Sequence, residues 1–290
     1  MEAPVSIIIV HWNQPEACAS TVGRFLSLPE VDSVVVVDNG STAENLGRLH
    51  AGLHNDAEVI ELGRNTGFGP AANRGFEAWL DAPSDTTWVG LAPHDALPAD
   101  DTRMLEAGET RKQPGLLSAD VGDGERPMVD HVFGPITRQG GLVDGFEEVD
   151  YPHGTLMLAS RDCLTAVGLF DERYFAYCEE ADLGLRAKRA GFDIGLIRGA
   201  RVVNPQVNSP TAAVDYLKER NTILLMADHF GRRRAAMRFV LTLIQFAIGS
   251  VIPSRRGEYW SSRARILAIR DVLRRSWGEP PAELFERVGH

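Results

Sequence analysis

The sequence predicts an α/β fold whose central sheet is mostly parallel and flanked by helices. Its first hundred residues alternate between short apolar runs typical of buried strands and segments with helical length and spacing. The predicted strands are Val5–Val10, Ser33–Val37, Glu58–Leu62 and Thr87–Leu91, and the predicted helices are Pro15–Leu28, Ala43–Leu53 and Pro70–Leu80. Strand–helix alternation of this kind implies parallel βαβ units and a doubly wound sheet.

The alternation weakens after Ala99, and we expect three parts: residues 1–100, 101–230 and 231–290. Residues 113–150 are rich in Gly and Asp, which predicts a loop-bearing subdomain. Further elements are expected in the order strand, helix, helix, strand, strand and helix: Gly154–Ser160, Arg161–Val167, Glu179–Ala190, Ile194–Ile197, Arg201–Val203 and Thr211–Phe230. The third part is expected to be a basic, helical C-terminal extension.

Composition narrows the function classes. The chain has 290 residues, of which 44% are hydrophobic and 24% charged, as is ordinary for a globular protein. Its formal net charge of −10 argues against a dedicated nucleic-acid binder. The three cysteines fit neither a metal site nor a disulfide framework, and no basic region precedes the first apolar run. We therefore expect a cytoplasmic protein in a reducing compartment.

The charge is unevenly distributed. From Gly231 onward the chain has 12 Arg, no Lys and 5 acidic residues, a balance of +7, which leaves −17 for the first 230 residues. Arginines flank the apolar run Phe239–Ile252, which is shorter than the ~20 residues that span a bilayer. We favour a buried helix with solvated ends, and keep open an interfacial helix that gives the protein peripheral contact with the inner face of an anionic membrane.

Polar residues follow the predicted strands at the point where each strand ends. In doubly wound sheets, ligands bind outside the carboxyl ends of the strands, so His11, Asn13 and Asp38 are candidate nucleotide-binding residues. Asp38 ends a run of four valines and precedes Gly40, which suits a tight turn. A carboxylate there can accept a hydrogen bond from a nucleobase N–H. The alternative is an Asp that caps the next helix or fills a turn.

A Gly-rich segment before the third predicted helix has the pattern Gly67-x-Gly69-x-x-Ala72, which matches the dinucleotide fingerprint of dehydrogenases. Three features count against a dehydrogenase: the segment follows the third strand, four residues separate strand and glycine, and no strand ending in an acid follows at the required distance. We expect instead that Gly67 lets the backbone approach a ligand, with Asn73 and Arg74 facing the nucleotide. The alternative is simply a Gly-rich helix start.

Two further groups carry candidate chemistry. His94 and Asp95 follow the fourth strand and can supply an imidazole and a carboxylate to a divalent metal that stabilises a leaving diphosphate. Glu179, Glu180 and Asp182 follow an aromatic stretch, as expected for a general base beside a sugar pocket, whose pKa partial burial would raise. The alternatives are a helix N-cap at Asp95 and acids placed to complement a helix dipole.

Together these motifs resemble glycosyltransferase family 2, in its rhamnosyltransferase- and galactofuranosyltransferase-like branch. The similarity runs in order from Val5 to Asn221. It is carried by the strings VSIIIVHWN, VVVVDNGST, NTGFGPAANRG, HGTLMLASRD, VGLFDERYFAYCEEADLGLRAKRAG and the pair Arg220-Asn221. The resemblance implies a GT-A fold, which is Rossmann-like, and transfer of a sugar from a nucleoside diphosphate to a hydroxyl with inversion at the anomeric carbon.

The resemblance also implies roles for individual residues. Asp38 would contact the base, and the segment His94-Asp95 would hold Mg²⁺ or Mn²⁺ and the diphosphate. Glu180 would deprotonate the acceptor, supported by Glu179 and Asp182. His153 and Tyr177 are the expected acceptor-site residues.

Three departures from the family pattern matter. Ala92-Pro93-His94-Asp95 leaves the register of the metal motif ambiguous, and Glu180 stands where the family usually has Asp. Asn204 stands where the family often has a metal-binding His, and Asn is a weaker ligand than a charged group. We therefore expect a weakly bound metal, unless His94 replaces the missing ligand.

Several alternatives stay open. The acceptor is a glycan, a lipid-linked glycan or a small molecule, and the donor's base and sugar are not specified by the sequence. Both a monomer and a homodimer are compatible with it. A catalytically silent, nucleotide-sugar-binding scaffold is the second hypothesis. A nucleotidyltransferase or dehydrogenase ranks last, because HWNQPEA stands where a Gly-rich basic loop would be expected.

Overall fold

The computed structural model describes residues 5–82, 86–99, 104–141, 144–203 and 211–285. Its first part alternates strands and helices as expected. The elements are β1 (Val5–His11), α1 (Pro15–Leu26), β2 (Val31–Asp38), α2 (Ala43–Leu53), β3 (Glu58–Glu61), α3 (Phe68–Asp81) and β4 (Trp88–Pro93). Pro15 starts α1, where its missing N–H costs nothing, and the Thr42 hydroxyl caps α2 by accepting from the Asn45 backbone N–H.

The second part adds short strands and three helices. These are β5 (Leu97–Pro98), α4 (Met104–Glu109), β6 (Pro114–Asp120), β7 (Glu125–Asp130), β8 (Gly134–Gln139), β9 (Gly145–Glu148), β10 (Met157–Ser160), α5 (Arg161–Val167), α6 (Glu179–Arg189) and β11 (Asp193–Val203). The segment expected to be mostly loop therefore contains β6 to β9. The two strands expected at Ile194–Ile197 and Arg201–Val203 form one strand, β11, whose pairing register with β6 shifts between Ile197 and Arg201.

Across the described residues one sheet carries both parts, in the order β3-β2-β1-β4-β10-β6-β11-β5, with β9 paired to β11. β10 is antiparallel to β4 and β6, whereas β1, β2, β3 and β4 are mutually parallel and β11 is parallel to β6. β7 and β8 form a separate hairpin. The prediction of a mostly parallel sheet flanked by helices is confirmed.

The core lies on the two faces of this sheet. On one face, Ile7 and Ile9 pack with Phe25 of α1 and with Leu117 of β6. On the other face, Ile8 packs in the cluster that contains apolar side chains of α3, α5 and α6. Both clusters combine residues from before and after residue 100, so the two parts share one core.

Three helices complete the chain: α7 (Thr211–Phe230), α8 (Arg232–Val251) and α9 (Ser262–Arg274). α7 packs against both α8 and α9. Among the described residues, α8 is long and apolar enough to cross a membrane by length and composition alone. Its buried residues, however, are Arg238, Thr242 and Gly249. The preference for a buried helix at Phe239–Ile252 is therefore wrong, because the apolar side of α8 faces outward.

Candidate active site

The ends of β1 and β2 bring His11 and Asp38 together. The two residues are paired across the strands, and His11 Nδ1 lies 2.9 Å from Asp38 Oδ1 with both side chains buried. The backbone N–H of Gln14 donates to His11 Nε2 at 3.1 Å. Because Nε2 accepts, the ring proton lies on Nδ1 and is donated to Asp38.

The second carboxylate oxygen of Asp38 accepts from the backbone N–H of Ser41 at 3.1 Å. Burial alone would raise the pKa of Asp38, but the hydrogen bonds from His11 and Ser41 lower it overall. Asn13 lies beside this pair and accepts from the backbone N–H of Thr42 at 2.8 Å. The end of β2 therefore carries a charged, oriented carboxylate within a rigid turn.

His94 follows β4 and packs its ring edge-on against His11, with centroids 5.7 Å apart. Burial, followed by repulsion from His11, lowers the pKa of His94 to about 4, so its imidazole is neutral at pH 7. Its Nε2 is buried and has no hydrogen-bond partner among the described residues. Burial raises the pKa of the adjacent Asp95.

These two residues are suitable metal ligands. No group of three His, Cys, Asp or Glu side chains that could hold a metal occurs among the described residues. Mg²⁺ is commonly held by one or two protein ligands together with substrate phosphates and water. A carboxylate at Asp95 and the free lone pair of His94 fit this mode of binding. Asn204, the third expected ligand, lies outside the described residues.

Asn39 connects the end of β2 to the Gly-rich segment. Its amide donates to the carbonyl of Gly67 at 3.1 Å, and its carbonyl oxygen accepts from the Thr66 backbone N–H at 2.8 Å. Gly67 has φ 99°, and the carbonyl of Phe175 occupies the space that a side chain there would need. Gly67 therefore permits close approach of protein backbone, where a ligand had been expected.

The segment before α6, residues 174–178, is here called the aromatic loop. Phe175, Tyr177 and Cys178 have positive φ values of 66°, 67° and 76°. Non-glycine residues pay a steric cost there, and such strain persists only where the surroundings impose it. Asn221 of α7 imposes it by donating to three carbonyls of the loop: Tyr174 at 2.7 Å, Ala176 at 2.8 Å and Tyr177 at 2.8 Å.

The aromatic loop is followed directly by Glu179 and Glu180, which lie in the first turn of α6. Burial raises the pKa of Glu180 to about 7. Burial and then repulsion from Glu180 raise the pKa of Glu179 well above its ordinary value. Glu179 Oε2 is buried without a partner among the described residues, and its stem lies beside Gly69.

Glu180 lies against Gly154, whose missing side chain leaves room for Glu180 Oε1. Gly154 precedes β10, which pairs with β4 so that Met157 is opposite Leu91. Because the two strands are antiparallel, β10 begins at the edge of the sheet where β4 ends. Gly154 and the carboxyl of Glu180 beside it therefore lie toward that edge.

Asp182 points away from this edge. Its two oxygens bind His229 Nε2 at 2.7 Å and Arg186 Nε at 2.9 Å. Burial alone would raise the pKa of Asp182, but the bonds to His229 and Arg186 lower it overall. Arg186 in turn donates to carbonyls at the end of α5, including Val167. Asp182 thus braces α6 against its neighbours.

Asn73 and Arg74 do not point toward Asp38. Asn73 is buried, and its amide both donates to and accepts from the backbone of Phe170, at 2.9 Å and 3.0 Å. Arg74 binds Glu77 and Glu172 and lines a cavity of about 350 Å³ beside the aromatic loop. Asn73 therefore ties α3 to the segment before the aromatic loop, and that Asn73 and Arg74 face the nucleotide stays a prediction.

The two expected acceptor-site residues lie apart. His153 adjoins Gly154, and its Nδ1 lies 3.0 Å from the Thr155 hydroxyl in a small cavity that Asp123 also lines. Burial lowers the pKa of His153 despite the nearby Asp123. Tyr177 belongs to the aromatic loop, and Lys218 lies over its ring.

Two polar residues of the site were not identified from the sequence. Asn39 and Asn221 both lie within quoted motifs, DNG and RN, yet received no role. Their position inside these motifs was the only sign in the sequence that the two asparagines matter. Their partners could not be deduced, because they are backbone groups from distant parts of the chain.

Comparison with known proteins agrees with this arrangement. A sequence model of the glycosyl transferase family 2 matches residues 6–105. The N-acetylglucosaminyl-diphospho-decaprenol L-rhamnosyltransferase of Mycobacterium tuberculosis is 27% identical over 249 residues, covering 72% of this chain and 79% of that protein. A low-salt glycan biosynthesis hexosyltransferase of Haloferax volcanii is 26% identical over 242 residues, covering 79% and 77%.

Solved structures with the same fold are glycosyltransferases. A mannosyltransferase from Pyrobaculum calidifontis, in complex with GDP-Man and Mn²⁺, has a TM-score of 0.57 at 14% identity and covers 95% of this chain and 87% of its own. GalNAc-T7 with UDP, GalNAc and Mn²⁺ has a TM-score of 0.62 at 13% identity, covering 94% and 56%. The sheet order, the motifs and these relatives together support one conclusion: a glycosyltransferase of family 2, from its rhamnosyltransferase-like branch, on the GT-A fold.

Proposed function

We propose that this enzyme transfers a hexosyl or deoxyhexosyl group from a nucleoside diphosphate to an acceptor hydroxyl with inversion, using Glu180 as the general base. The observation that carries the proposal is the position of Glu180. Its carboxyl lies against Gly154, just before β10, and burial raises its pKa to about 7. A base with a pKa near the working pH combines a useful ionised fraction with good proton affinity.

The proposed reaction is one direct displacement and needs no covalent intermediate. The acceptor oxygen forms a bond to the anomeric carbon while the bond from that carbon to the diphosphate oxygen breaks. The acceptor proton passes to Glu180, and the nucleoside diphosphate carries away the electron pair. A single displacement of this kind inverts the anomeric centre.

The donor is expected at the ends of β1, β2 and β4. Asp38 accepts one hydrogen bond at each oxygen, and each oxygen keeps a further lone pair for a nucleobase N–H. His11 fixes the orientation of that carboxylate, and Asn13 supports the turn beside it. Asp95 and neutral His94 would hold a weakly bound Mg²⁺ or Mn²⁺, which would stabilise the charge of the leaving diphosphate.

The acceptor is expected on the Glu180 side of Gly154, near His153 and Tyr177. The rhamnosyltransferase relative acts on a sugar attached through diphosphate to a polyprenol. A lipid-linked glycan is therefore the acceptor class we propose for this enzyme, with a cytoplasmic location, where nucleotide sugars are made available.

The test is release of nucleoside diphosphate in the presence of donor and a polyprenyl-diphosphate glycan, with the anomeric configuration of the product determined by NMR. Glu180→Gln should lower kcat by about 10²–10⁴-fold, the usual contribution of a general base. Glu179→Gln is the matched control, because it makes the same change at the neighbouring residue of the same helix turn, and should stay within a few fold of the wild type.

Undiminished transfer by Glu180→Gln would refute the base assignment, and retention of configuration would refute the single displacement. If the protein is a scaffold without catalytic activity, nucleoside diphosphates and nucleotide sugars should raise its melting temperature, but no combination of donor and acceptor should give a product.

A further inference from the structure

α8 exposes a row of large apolar side chains to solvent and buries two polar ones, Arg238 and Thr242, against the protein. Its buried residues, Arg238, Thr242 and Gly249, lie on one side of the helix. The opposite side carries a stripe at helical spacing, here called the α8 stripe. Its members are all large, apolar and exposed: Met237, Val240, Ile244, Ile248 and Val251.

Buried polar contacts hold α8 in this orientation. Arg238 donates to Glu219 of α7 at 3.2 Å, and the Thr242 hydroxyl donates to the same Glu219 oxygen at 2.9 Å. Gly249 lies against the ring of Trp260. Rotating α8 to bury its stripe would break the buried pair of Arg238 with Glu219 and leave Glu219 with Arg265 alone, at 3.2 Å, and breaking a buried ion pair is strongly destabilising. The contacts of α8 with the rest of the fold therefore keep the α8 stripe exposed.

Positive charge borders the stripe at both ends. Arg232 and Arg233 begin α8, and Arg255 follows it; all three are exposed. Within the described part of the chain, none of the three forms an ion pair with a carboxylate. The segment from Gly231 onward has a balance of +7, against −17 for the rest. An anionic surface therefore attracts this segment and repels the remainder, which orients the molecule.

α8 is placed to lie along a surface and not across a membrane. It folds back on α7 through Gly231, which has φ 83°, and packs along α7 by its polar side. A helix that crossed a bilayer in this arrangement would carry Glu219 and Arg238 into the hydrocarbon, where charges are expensive. An apolar stripe with arginines at its ends is instead the pattern of an interfacial helix.

We propose that the α8 stripe, with Arg232, Arg233 and Arg255, docks this enzyme on the surface of an anionic phospholipid bilayer. The docking goes beyond the proposed reaction and does not depend on which donor or acceptor is used. α7 connects the docked helix to the active site, since Glu219 of α7 binds α8 and Asn221 of α7 holds the aromatic loop. In the docked enzyme, α7 alone would then separate the membrane-bound α8 from the aromatic loop of the active site.

The test is sedimentation of the full chain with vesicles of phosphatidylcholine, with and without phosphatidylglycerol, over a range of salt concentrations. The wild type should bind the anionic vesicles, and raising the salt should weaken that binding. Ile244→Asp combined with Ile248→Asp should abolish it. Phe133→Asp is the control: it places one negative charge on another exposed apolar residue, in the β7–β8 hairpin, and should bind like the wild type.

A second pair of changes tests the charge. Arg232→Gln with Arg233→Gln should weaken partitioning about fivefold per arginine at low salt, from ~1 kcal/mol for each. Nucleoside diphosphate release with a soluble acceptor should be unchanged in all these variants, which separates failure of docking from failure of the proposed reaction.

Three outcomes would overturn the proposal. The first is equal binding of wild type and the Ile244→Asp, Ile248→Asp variant. The second is a wild-type dimer that this variant dissociates, with no vesicle binding, because a second copy would then cover the stripe. The third is a vesicle-bound protein that only detergent removes at high salt and high pH, because α8 would then cross the bilayer.

Discussion

Asn221 donates a hydrogen bond of 2.8 Å to the carbonyl oxygen of Tyr177, within a loop whose backbone it contacts three times. Tyr177 and the following Cys178 both have positive φ, and Glu180 lies two residues beyond. A strained conformation next to a catalytic group is maintained only by contacts that outweigh its cost. Asn221 is therefore a positioning residue for Glu180, although it lies on a different helix.

Replacing Asn221 by Ala should reduce both stability and turnover. The change leaves buried carbonyls without their donor, which should lower the free energy of unfolding by about 1–3 kcal/mol. The aromatic loop should then relax and displace Glu180, so we expect kcat to fall by about 10–100-fold with a smaller change in KM. Denaturant unfolding and steady-state kinetics measure the two effects.

Ser250→Ala is the control for this prediction. Ser250 lies on α8, and its hydroxyl donates to the carbonyl of Phe246 in its own helix. Its loss should leave kcat near the wild-type value. An Asn221→Ala enzyme with wild-type kcat would show that the aromatic loop holds its conformation without the asparagine.

The pH dependence of turnover should report the ionisation of Glu180. A general base acts when it is deprotonated, and burial raises the pKa of Glu180 to about 7. Activity should therefore be lost as the pH falls through about 7, with a slope of one on a logarithmic plot of kcat/KM. A profile that stays flat down to pH 5 would contradict the assignment.

The free energy of unfolding should also depend on the ionisation of Glu180, but it should fall as the pH rises, whereas activity should increase. Because the folded-state pKa of Glu180 lies above the unfolded value of 4.5, the folded state binds the proton more tightly. Its contribution is fully present below pH 4.5 and is lost as the pH rises through about 7. Glu180→Gln should remove this part of the decline, so at pH 8 the inactive variant should be at least as stable as the wild type.

Gly154→Ala should separate activity from folding. A Cβ at this position would meet the carboxyl group of Glu180, the mobile end of a side chain that can move aside. We expect kcat to fall by about tenfold or more from the displaced base, with little change in melting temperature. Gly47→Ala is the control, because α2 leaves open space there and both properties should be retained.

The fold was largely predictable because its elements follow local patterns. α5 and α7 begin and end where apolar spacing and turn residues predicted, and the alternation of the first hundred residues specified the parallel strands. His11 and Asp38 were expected at one edge because the ends of parallel strands meet there, and they do. β6 and β9 were missed because they pair with strands remote in sequence. β7 and β8 pair with each other, but they lie in a Gly- and Asp-rich segment that suggested loops.

Tertiary partners explain the remaining differences. The apolar run of α8 indicated burial by composition, yet Glu219, nineteen residues before Arg238, decides which side packs. Asn73 was expected to face a ligand, and its amide binds the backbone of Phe170. No local pattern reveals which distant carbonyl an asparagine will bind, so side-chain contacts of this kind are the part of the site that sequence reasoning could not supply.

Asp182→Asn should destabilise the enzyme more than it slows the reaction. Asp182 and His229 are buried and 2.7 Å apart, and loss of one charge from such a pair costs about 3 kcal/mol. The pKa of Asp182 is lowered in the folded state, so its contribution is present above pH 3.8 and is lost as the pH falls below that value. The stability gap between variant and wild type should therefore narrow in acid.

Glu61→Gln is the matched control, since His50 and Glu61 form the same kind of pair at 2.8 Å with both side chains about half exposed. An exposed pair contributes at most about 1 kcal/mol. Equal losses of stability from both substitutions would contradict a bracing role for Asp182.

Asp95→Asn should remove the effect of Mn²⁺ on nucleotide binding. We expect one of UDP, dTDP and GDP to raise the melting temperature, and Mn²⁺ to enlarge the rise by mass action, since metal and diphosphate bind together. Asp95 carries the charge that a hard cation prefers, whereas His94 is neutral and packs against His11. His94→Gln should therefore retain most of the Mn²⁺ effect. The reverse result would place the metal on His94, and persistence of the effect in both variants would place it elsewhere.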